Sequence, residues 1–275
     1  MASGCTGSKE IEGFSEEKEK SKKYLFKSKY EKLLLSDDIK LKHEKGKEYY
    51  NKGEYAKALP IFEQLLTLLR GTKTEEELRY YISYCHYGQG ELQLASYLFK
   101  RFYLDFSSSE FAPDAMFMTA ECLFYSAPQY YLDQTSSEKA VTSFRQFINT
   151  YPTHDKVTVA TERVEELRGR MEKKVLKSAE LYYNLGSYQA AAVTYENLLK
   201  DFPSSKQAED IRFLVLKSKY LYANQSITKK KVERFEDAVE AYNSFIMLYP
   251  ESKFKKEAEE MFQASTDFLE TGKNP

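Results

Sequence analysis

A chain of 275 residues can form one or two compact domains or one elongated array, and its scarce Gly (11) and Pro (7), absent Trp and abundant Tyr (23) and Phe (18) suit helices packed through rings. Its 41 Lys and Arg offset 42 Asp and Glu, so a net charge of −1 supplies no field toward nucleic acid, and no nucleic-acid partner is expected. No apolar run approaches the roughly 20 residues needed to cross a bilayer, which excludes a membrane-spanning helix from the sequence as written.

The chain opens MASGCTGSKE. Ala2-Ser3-Gly4-Cys5 resembles the end of a bacterial lipoprotein signal peptide, in which the cysteine becomes the lipidated first residue of the mature protein. The usual leucine is Ala2, and the basic and apolar regions of a signal peptide are missing, so the chain is read as truncated or mis-started. Cys5 is the lipidation candidate, set against a chance cysteine in an unpacked tail. The charged, Gly- and Ser-containing stretch through Lys23 is too polar to pack and reads as a tether.

Tyr24 to Leu35 is amphipathic, with Tyr24, Tyr30, Leu33 and Leu34 able to share a helical face. Ser36-Asp37-Asp38 supplies capping groups for a helix carrying Ile39, Leu41, Gly46 and Tyr49. Gly53 and Glu54 form a corner, after which Ala58, Phe62 and Leu65 open a second helix. A small residue followed by an aromatic four positions later lies on one face, so the first admits a neighbouring helix and the ring fills the adjacent gap. Thr74 with Glu77 has capping-box spacing and opens a second unit through Tyr80, Tyr81, Tyr84 and Tyr87, followed by Ala95, Phe99 and Phe102. Tyr49, Tyr80, Tyr81, Tyr84 and Tyr87 are candidate binding residues on first helices; inter-helix packing is the competing reading of such rings.

Pro113 opens the next helix, and Ser126 to Ser137 enlarges the turn before Ala140, Phe144 and Phe147. Tyr130, Tyr131 and Leu132 on that loop either fold back or touch a partner. Val164, Leu167 and Met171 form a stripe that runs on into KVLKSAELYYNLG, which predicts one long helix bridging the third and fourth units. Ala179, Tyr182, Gly186, Tyr188, Ala191, Tyr195 and Leu198 follow in register, and Ser204 with Gln207 is expected to cap the next helix. In the fifth unit the insertion NQSITKKKVER carries Lys229, Lys230 and Lys231, read either as a solvated turn or as a basic run for an acidic partner or lipid headgroups. Ala238, Tyr242 and Phe245 repeat the anchor pattern, and Phe254, Ala258, Met261, Phe262, Ser265 and Leu269 mark a terminal helix that covers the last repeat.

The five anchors Ala58, Ala95, Ala140, Ala191 and Ala238, with aromatic-proline stops at Tyr151-Pro152, Phe202-Pro203 and Tyr249-Pro250, resemble the tetratricopeptide repeat of about 34 residues, here with insertions. The resemblance covers Asp37 to Glu251. It implies an all-α solenoid of about five helix-turn-helix units and a capping helix. Residues 1–23 are expected to be the lipoprotein start and tether and 24–275 the solenoid, with units at 24–70, 74–108, 112–153, 157–204 and 206–251 and the capping helix at 253–270.

Catalysis is not expected. His43, His86 and His154 are the only histidines and none has metal-ligand spacing; no glycine-rich phosphate loop or nucleophile elbow is present. Cys85 and Cys122, amid aromatic residues, read as buried thiols, with a disulfide between them the alternative. No metal and no cofactor is expected.

Cys5 with its Ser-Gly lead-in, FAPDAMFMTAECL, the stretch LRGRMEKKVLKSAELYYNLGSYQAAAVTYENLLKDFP and the closing YPESKF together resemble the BamD family. These are tetratricopeptide-repeat lipoproteins of the outer-membrane β-barrel assembly machinery. The resemblance implies a non-catalytic scaffold, lipid-anchored through Cys5 on the periplasmic face of the outer membrane, with the other subunits of the machinery as partners. It implies that the amino-terminal repeats hold the carboxy-terminal signal of unfolded outer-membrane β-barrel proteins and that the carboxy-terminal repeats dock on the POTRA region of BamA. Tyr188, Thr194, Lys229, Lys230 and Lys231 are the candidate docking residues; at the position where some members carry a basic residue in the second helix of the fourth repeat, this chain has Thr194. A soluble periplasmic adaptor of the Tol-Pal kind and a glycan-capturing surface lipoprotein are the alternatives, the latter disfavoured by the absence of Trp for stacking on sugars.

Overall fold

Side chains that accept from free backbone N–H groups decide where the first helices start. In the computed structural model, which describes Ser28–Gly272, Ser28 and Glu31 form a reciprocal capping box ahead of α1 (Lys29–Leu35): Glu31 N–H donates to Ser28 Oγ at 3.2 Å and Ser28 N–H to the Glu31 carboxylate at 2.7 Å. Asp38 accepts from the Leu41 N–H at 2.9 Å and opens α2 (Ile39–Asn51), as its capping group predicts. There follow α3 (Tyr55–Leu68), α4 (Lys73–Gly88), α5 (Leu92–Asp105), α6 (Ala112–Tyr125), α7 (Thr135–Thr150), α8 (Val157–Asn184), α9 (Tyr188–Asp201), α10 (Ala208–Asn224), α11 (Thr228–Leu248) and α12 (Lys255–Thr271). Among the described residues there is no strand. Cys5, the tether and Tyr24 lie outside the described residues.

The corners within pairs are chemically alike. YYNKG ends α2 and YYNLG ends α8, with Gly53 and Gly186 both at φ 73°. The next residue's N–H then reaches back to the first tyrosine's carbonyl, Glu54 to Tyr49 at 2.9 Å and Ser187 to Tyr182 at 3.0 Å. A side chain would strain that left-handed position, so glycine closes the helix there. Between pairs, Tyr151-Pro152, Phe202-Pro203 and Tyr249-Pro250 stand directly past α7, α9 and α11, where proline stops a helix.

The described residues form two compact units: those up to Ala127 with Lys139–Arg163, and Pro128–Glu138 with those from Val164 onward. In the first, Ala58, Phe62, Leu65, Ala95, Phe99, Phe102, Ala140, Phe144 and Phe147 are all buried. Each small residue is the notch and each ring the filler, as expected. Gly46 of α2 makes a further notch, since a Cβ there would lie 2.7 Å from the Phe62 ring. The buried Lys42 ties α2 to its neighbours through the Leu34 carbonyl at 3.1 Å and the Gln64 side chain at 2.8 Å.

In the second unit Leu176 and Ala179 of α8 pack with Ala191, Tyr195 and Leu198 of α9 and Ile211 and Val215 of α10. Phe213, Leu216 and Phe245 then pack with Ala258 and Met261 of α12. The terminal helix thus covers the preceding pair, and its inward residue is Phe268 beside Phe235, while Leu269 is only half-buried. Tyr242, the one anchor aromatic left half-buried, stacks on Phe262 at 4.3 Å. The all-α, tetratricopeptide-type arrangement read from the sequence is borne out, as is the long bridging helix, α8, at 28 residues.

Three local expectations are corrected. Thr74 lies inside the first turn of α4, not at its cap; the Glu75 carboxylate accepts from the Gly71 N–H at 2.6 Å, and Glu77 is drawn to Lys47 of α2 instead. Ser204 and Gln207 make no capping box, because α10 starts after Gln207, whose N–H donates to Ser205 Oγ at 3.1 Å. The insertion NQSITKKKVER is no solvated turn: from Thr228 onward it is helix and lengthens α11 to 21 residues, since TKKKVER contains neither glycine nor proline to stop it. Cys85 and Cys122 are buried free thiols, which settles the choice left open above.

Candidate functional site

In the first unit the tyrosines predicted as a binding set form a laced aromatic cluster. Tyr80, Tyr81 and Tyr84 lie together on α4, with the Tyr80 and Tyr84 rings 4.9 Å apart and Tyr80 stacked on Phe111 at 4.5 Å. Their hydroxyls are engaged. Tyr80 and Tyr84 both donate to Asp114 Oδ2 of α6, at 2.6 and 2.5 Å, and Tyr81 donates to Glu77 at 3.1 Å. Lys156, the residue before α8, pairs with the other Asp114 oxygen. One helical stage earlier, Glu77 receives Lys47 of α2 at 2.7 Å and faces His43 at 3.2 Å.

Seven residues further on the positions recur, but the phenol-to-carboxylate bond does not, and Glu121 Oε2 is buried without a hydrogen-bond partner among the described residues. Tyr87, Glu121 and Arg163 stand two turns on from Tyr80, Asp114 and Lys156. Arg163 reaches the buried Glu121 at 3.3 Å, and its guanidinium lies over the Phe124 ring at 4.3 Å and over Tyr125 at 5.8 Å. Burial works to raise Asp114, but Lys156 and the two phenol hydroxyls outweigh it and hold the carboxyl below its ordinary range. Burial first and Asp114 second push Tyr84 well above the usual phenol range; burial, followed by hydrogen bonding to Asp114, does the same for Tyr80. The hydroxyls in this cluster therefore serve the fold, and so do the ring faces that stack on Phe111 (Tyr80) and Phe62 (Tyr81), which leaves the rings half-buried. Tyr49 sits apart, edge-on to Tyr30 at 5.7 Å, in a groove of ≈ 370 Å³ with Leu33, Leu41 and Lys45.

In the second unit the loop before α7 divides its aromatic residues. Tyr130 folds back under the Lys173 ammonium, 4.4 Å from its ring centre, and the loop is pinned by Lys174 donating to the Leu132 carbonyl at 3.0 Å and by Gln134 donating to the Gln129 carbonyl at 2.9 Å. Tyr131 and Leu132 are left in solvent, at 64% and 49% exposure. Tyr188 is half-buried and edge-on to Tyr183 at 5.4 Å; the Thr194 hydroxyl donates to the Ala190 carbonyl at 2.7 Å. The lysine run does not act as a set. Lys229 and Lys230 are exposed, with Lys230 3.1 Å from Glu233, whereas Lys231 is buried with its ammonium over the Phe268 ring at 5.7 Å. Its long aliphatic stem lies along the apolar face that the helix start imposes, which removes it from any exposed docking patch.

Asp114, Glu121, Lys156 and Arg163 went unassigned in the sequence. Their signal was the seven-residue recurrence of polar residues on successive first helices. Among the described residues no group of three or more His, Cys, Asp and Glu could hold a metal ion, and no helix is long and apolar enough to cross a membrane.

The family model described as YfiO, outer membrane lipoprotein, matches residues 37–231, which span most of both units. The chain belongs to the YfiO family of outer membrane lipoproteins. YfiO membership bears out the resemblance carried by FAPDAMFMTAECL and the LRGRMEKK stretch, and it associates the chain with the outer membrane. A curated relative of Aquifex aeolicus (strain VF5), which bears the name of the outer membrane protein assembly factor BamD, is 26% identical over 200 residues, 72% of this chain and 65% of the relative. The match thus spans less than two thirds of that relative's length. Similar solved structures include the TPR2AB domain of yeast Sti1, from a complex with pHSP90, at 10% identity and TM-score 0.42 over 83% of this chain and 98% of that one. A tetratricopeptide repeat protein of Parabacteroides merdae ATCC 43184 aligns at 13% identity and TM-score 0.35, over 86% and 98%.

Proposed function

We propose that this chain is the BamD-type scaffold of the outer-membrane β-barrel assembly machinery, held by a lipid on Cys5 at the periplasmic face and acting without bond chemistry. The observation that carries the reading is the family match across residues 37–231. In it, the first-helix face of the first unit holds the carboxy-terminal signal of an unfolded barrel protein, and the second unit docks on the POTRA region of BamA. The tyrosine cluster supports the first role on physical grounds. An unfolded barrel strand is extended and alternates apolar and polar side chains, and half-buried rings whose hydroxyls are already bonded can meet it with their uncovered edges while no phenol has to be desolvated. The exposed Tyr131 and Leu132 add an apolar contact on the second unit.

Crosslinking in intact cells tests the proposal. Recovery of BamA and of nascent barrel proteins is expected, and recovery of Tol or Pal proteins alone overturns it. Tyr87→Ala, at the edge of the cluster, tests the substrate role separately, because it should weaken capture of a barrel-derived peptide while BamA recovery persists.

A further inference from the structure

We propose that a groove of the second unit, walled by α9, α10 and α11, docks an acidic segment of a partner protein, with the Arg212 guanidinium as the anchor for one carboxylate. The groove has a volume of ≈ 440 Å³. Arg212 lies on α10 between Ile211 and Phe213, both buried, so the core fixes the root of its side chain while the guanidinium lines the groove. Its Nε is buried with no hydrogen-bond partner, and none of the ion pairs found among the described residues uses it. A buried donor of a charged group left unmade is a costly state that a ligand can relieve.

The surrounding charges say what would relieve it. Three cations, Lys200, Arg212 and Lys219, and two carboxylates, Glu196 and Glu240, line the groove. Lys219 is already paired with Glu196 at 2.8 Å. Lys200 and Arg212 then face Glu240 alone, an excess of one positive charge beside an unmade donor. Arginine presents a planar fork of donors that matches a carboxylate in two parallel bonds. Apart from Ser244, the rest of the lining, Leu199, Val215, Ala241 and Phe245, is apolar and suits the stem of an acidic side chain and an apolar neighbour better than a free hydrated anion. The inference rests on the proposed assembly role only for the source of the segment, a partner subunit.

The test is a titration of the full chain, uniformly ¹⁵N-labelled and deuterated, observed at the arginine Nε–H signals, with Arg212 assigned by loss of its signal in Arg212→Gln. The probe is an acetylated, amidated peptide, Gly-Ser-Gly-Leu-Glu-Leu-Gly-Ser-Gly, and its counterpart with Gln for Glu. The Arg212 signal should move with the Glu peptide, with affinity falling about tenfold for the Gln peptide and again as salt is raised. Arg212→Lys should lose most of the discrimination, and Arg101→Ala, at an exposed position of α5, should retain it. Equal shifts with both peptides, no shift at millimolar peptide, or a stronger response to inorganic phosphate than to the Glu peptide would each overturn the proposal. The Glu-against-Gln comparison uses the parent protein and so stands even if the Arg212 variants fold poorly. It contains no partner subunit, so its failure and a failure to recover BamA from cells are separate results.

Discussion

Asp114 gathers two phenol hydroxyls from α4 and an ammonium from just before α8 onto one carboxylate, so an amide there removes the charge and leaves one acceptor oxygen for three donors. Asp114→Asn is expected to destabilise the first unit by roughly 1.5–3 kcal/mol, the range for hydrogen bonds to charged groups. The pH dependence has a definite sign. Folding lowers the carboxyl below its ordinary value of 3.8, so its contribution is fully present above that value and is lost as pH falls through the folded one. Urea unfolding of parent and variant across the acid range should therefore show a gap that closes below pH 3.8; a gap that persists in acid would place the loss elsewhere. Gly46 offers a steric counterpart. Its added Cβ would press on the Phe62 ring, which is fully buried and has no room to give. Gly46→Ala should lower the melting temperature, because overpacking of about 1–3 kcal/mol exceeds the roughly 1 kcal/mol that alanine returns to a helix. The two internal thiols give a third reading at this scale. Burial pushes both Cys85 and Cys122 up to about 12, so neither should react with a thiol reagent at neutral pH until the chain is unfolded.

Among the elements, α12 has the simplest job and the clearest test. Its buried face, Ala258, Met261, Ser265 and Phe268, covers apolar surface of α10 and α11 that would otherwise meet water. Truncating Phe268 to Ala removes the ring packed on Phe235 at 4.6 Å and beneath Lys231, and it should cost about 3–5 kcal/mol. Amide exchange should then accelerate in α11 and α12 first; uniform acceleration across both units would contradict a local capping role. The way these helices are specified explains what the sequence could reveal. Ala58 with Phe62, or Ala191 with Tyr195, is readable because a notch and a ring four residues apart must share a face wherever a helix forms. The fate of Tyr80 was not readable, since its hydroxyl is claimed by Asp114, 34 residues away, and no local pattern specifies that distance. Lys231 was misread for a related reason. Three identical residues in a row hide the register, and only the start of α11 at Thr228 turns the third one inward.

At the scale of the molecule, attachment to a membrane is a matter of charge, apolar area and covalent lipid. The net charge of −1 gives no general attraction to anionic lipid, and no described helix can span a bilayer. Family membership nevertheless associates the chain with the outer membrane, and the proposed function attaches it there by a covalent lipid. A lipid contributes about 0.8 kcal/mol per buried methylene whatever the salt, whereas a charge-held interface weakens as salt screens it. Replacing Cys5 by Ser in cells therefore separates these cases. If the lipid is the anchor, the parent should enter the detergent phase on partitioning and resist extraction by high salt, and the Cys5→Ser form should move to the aqueous phase while remaining folded. Equal partitioning of the two forms would remove Cys5 as the anchor.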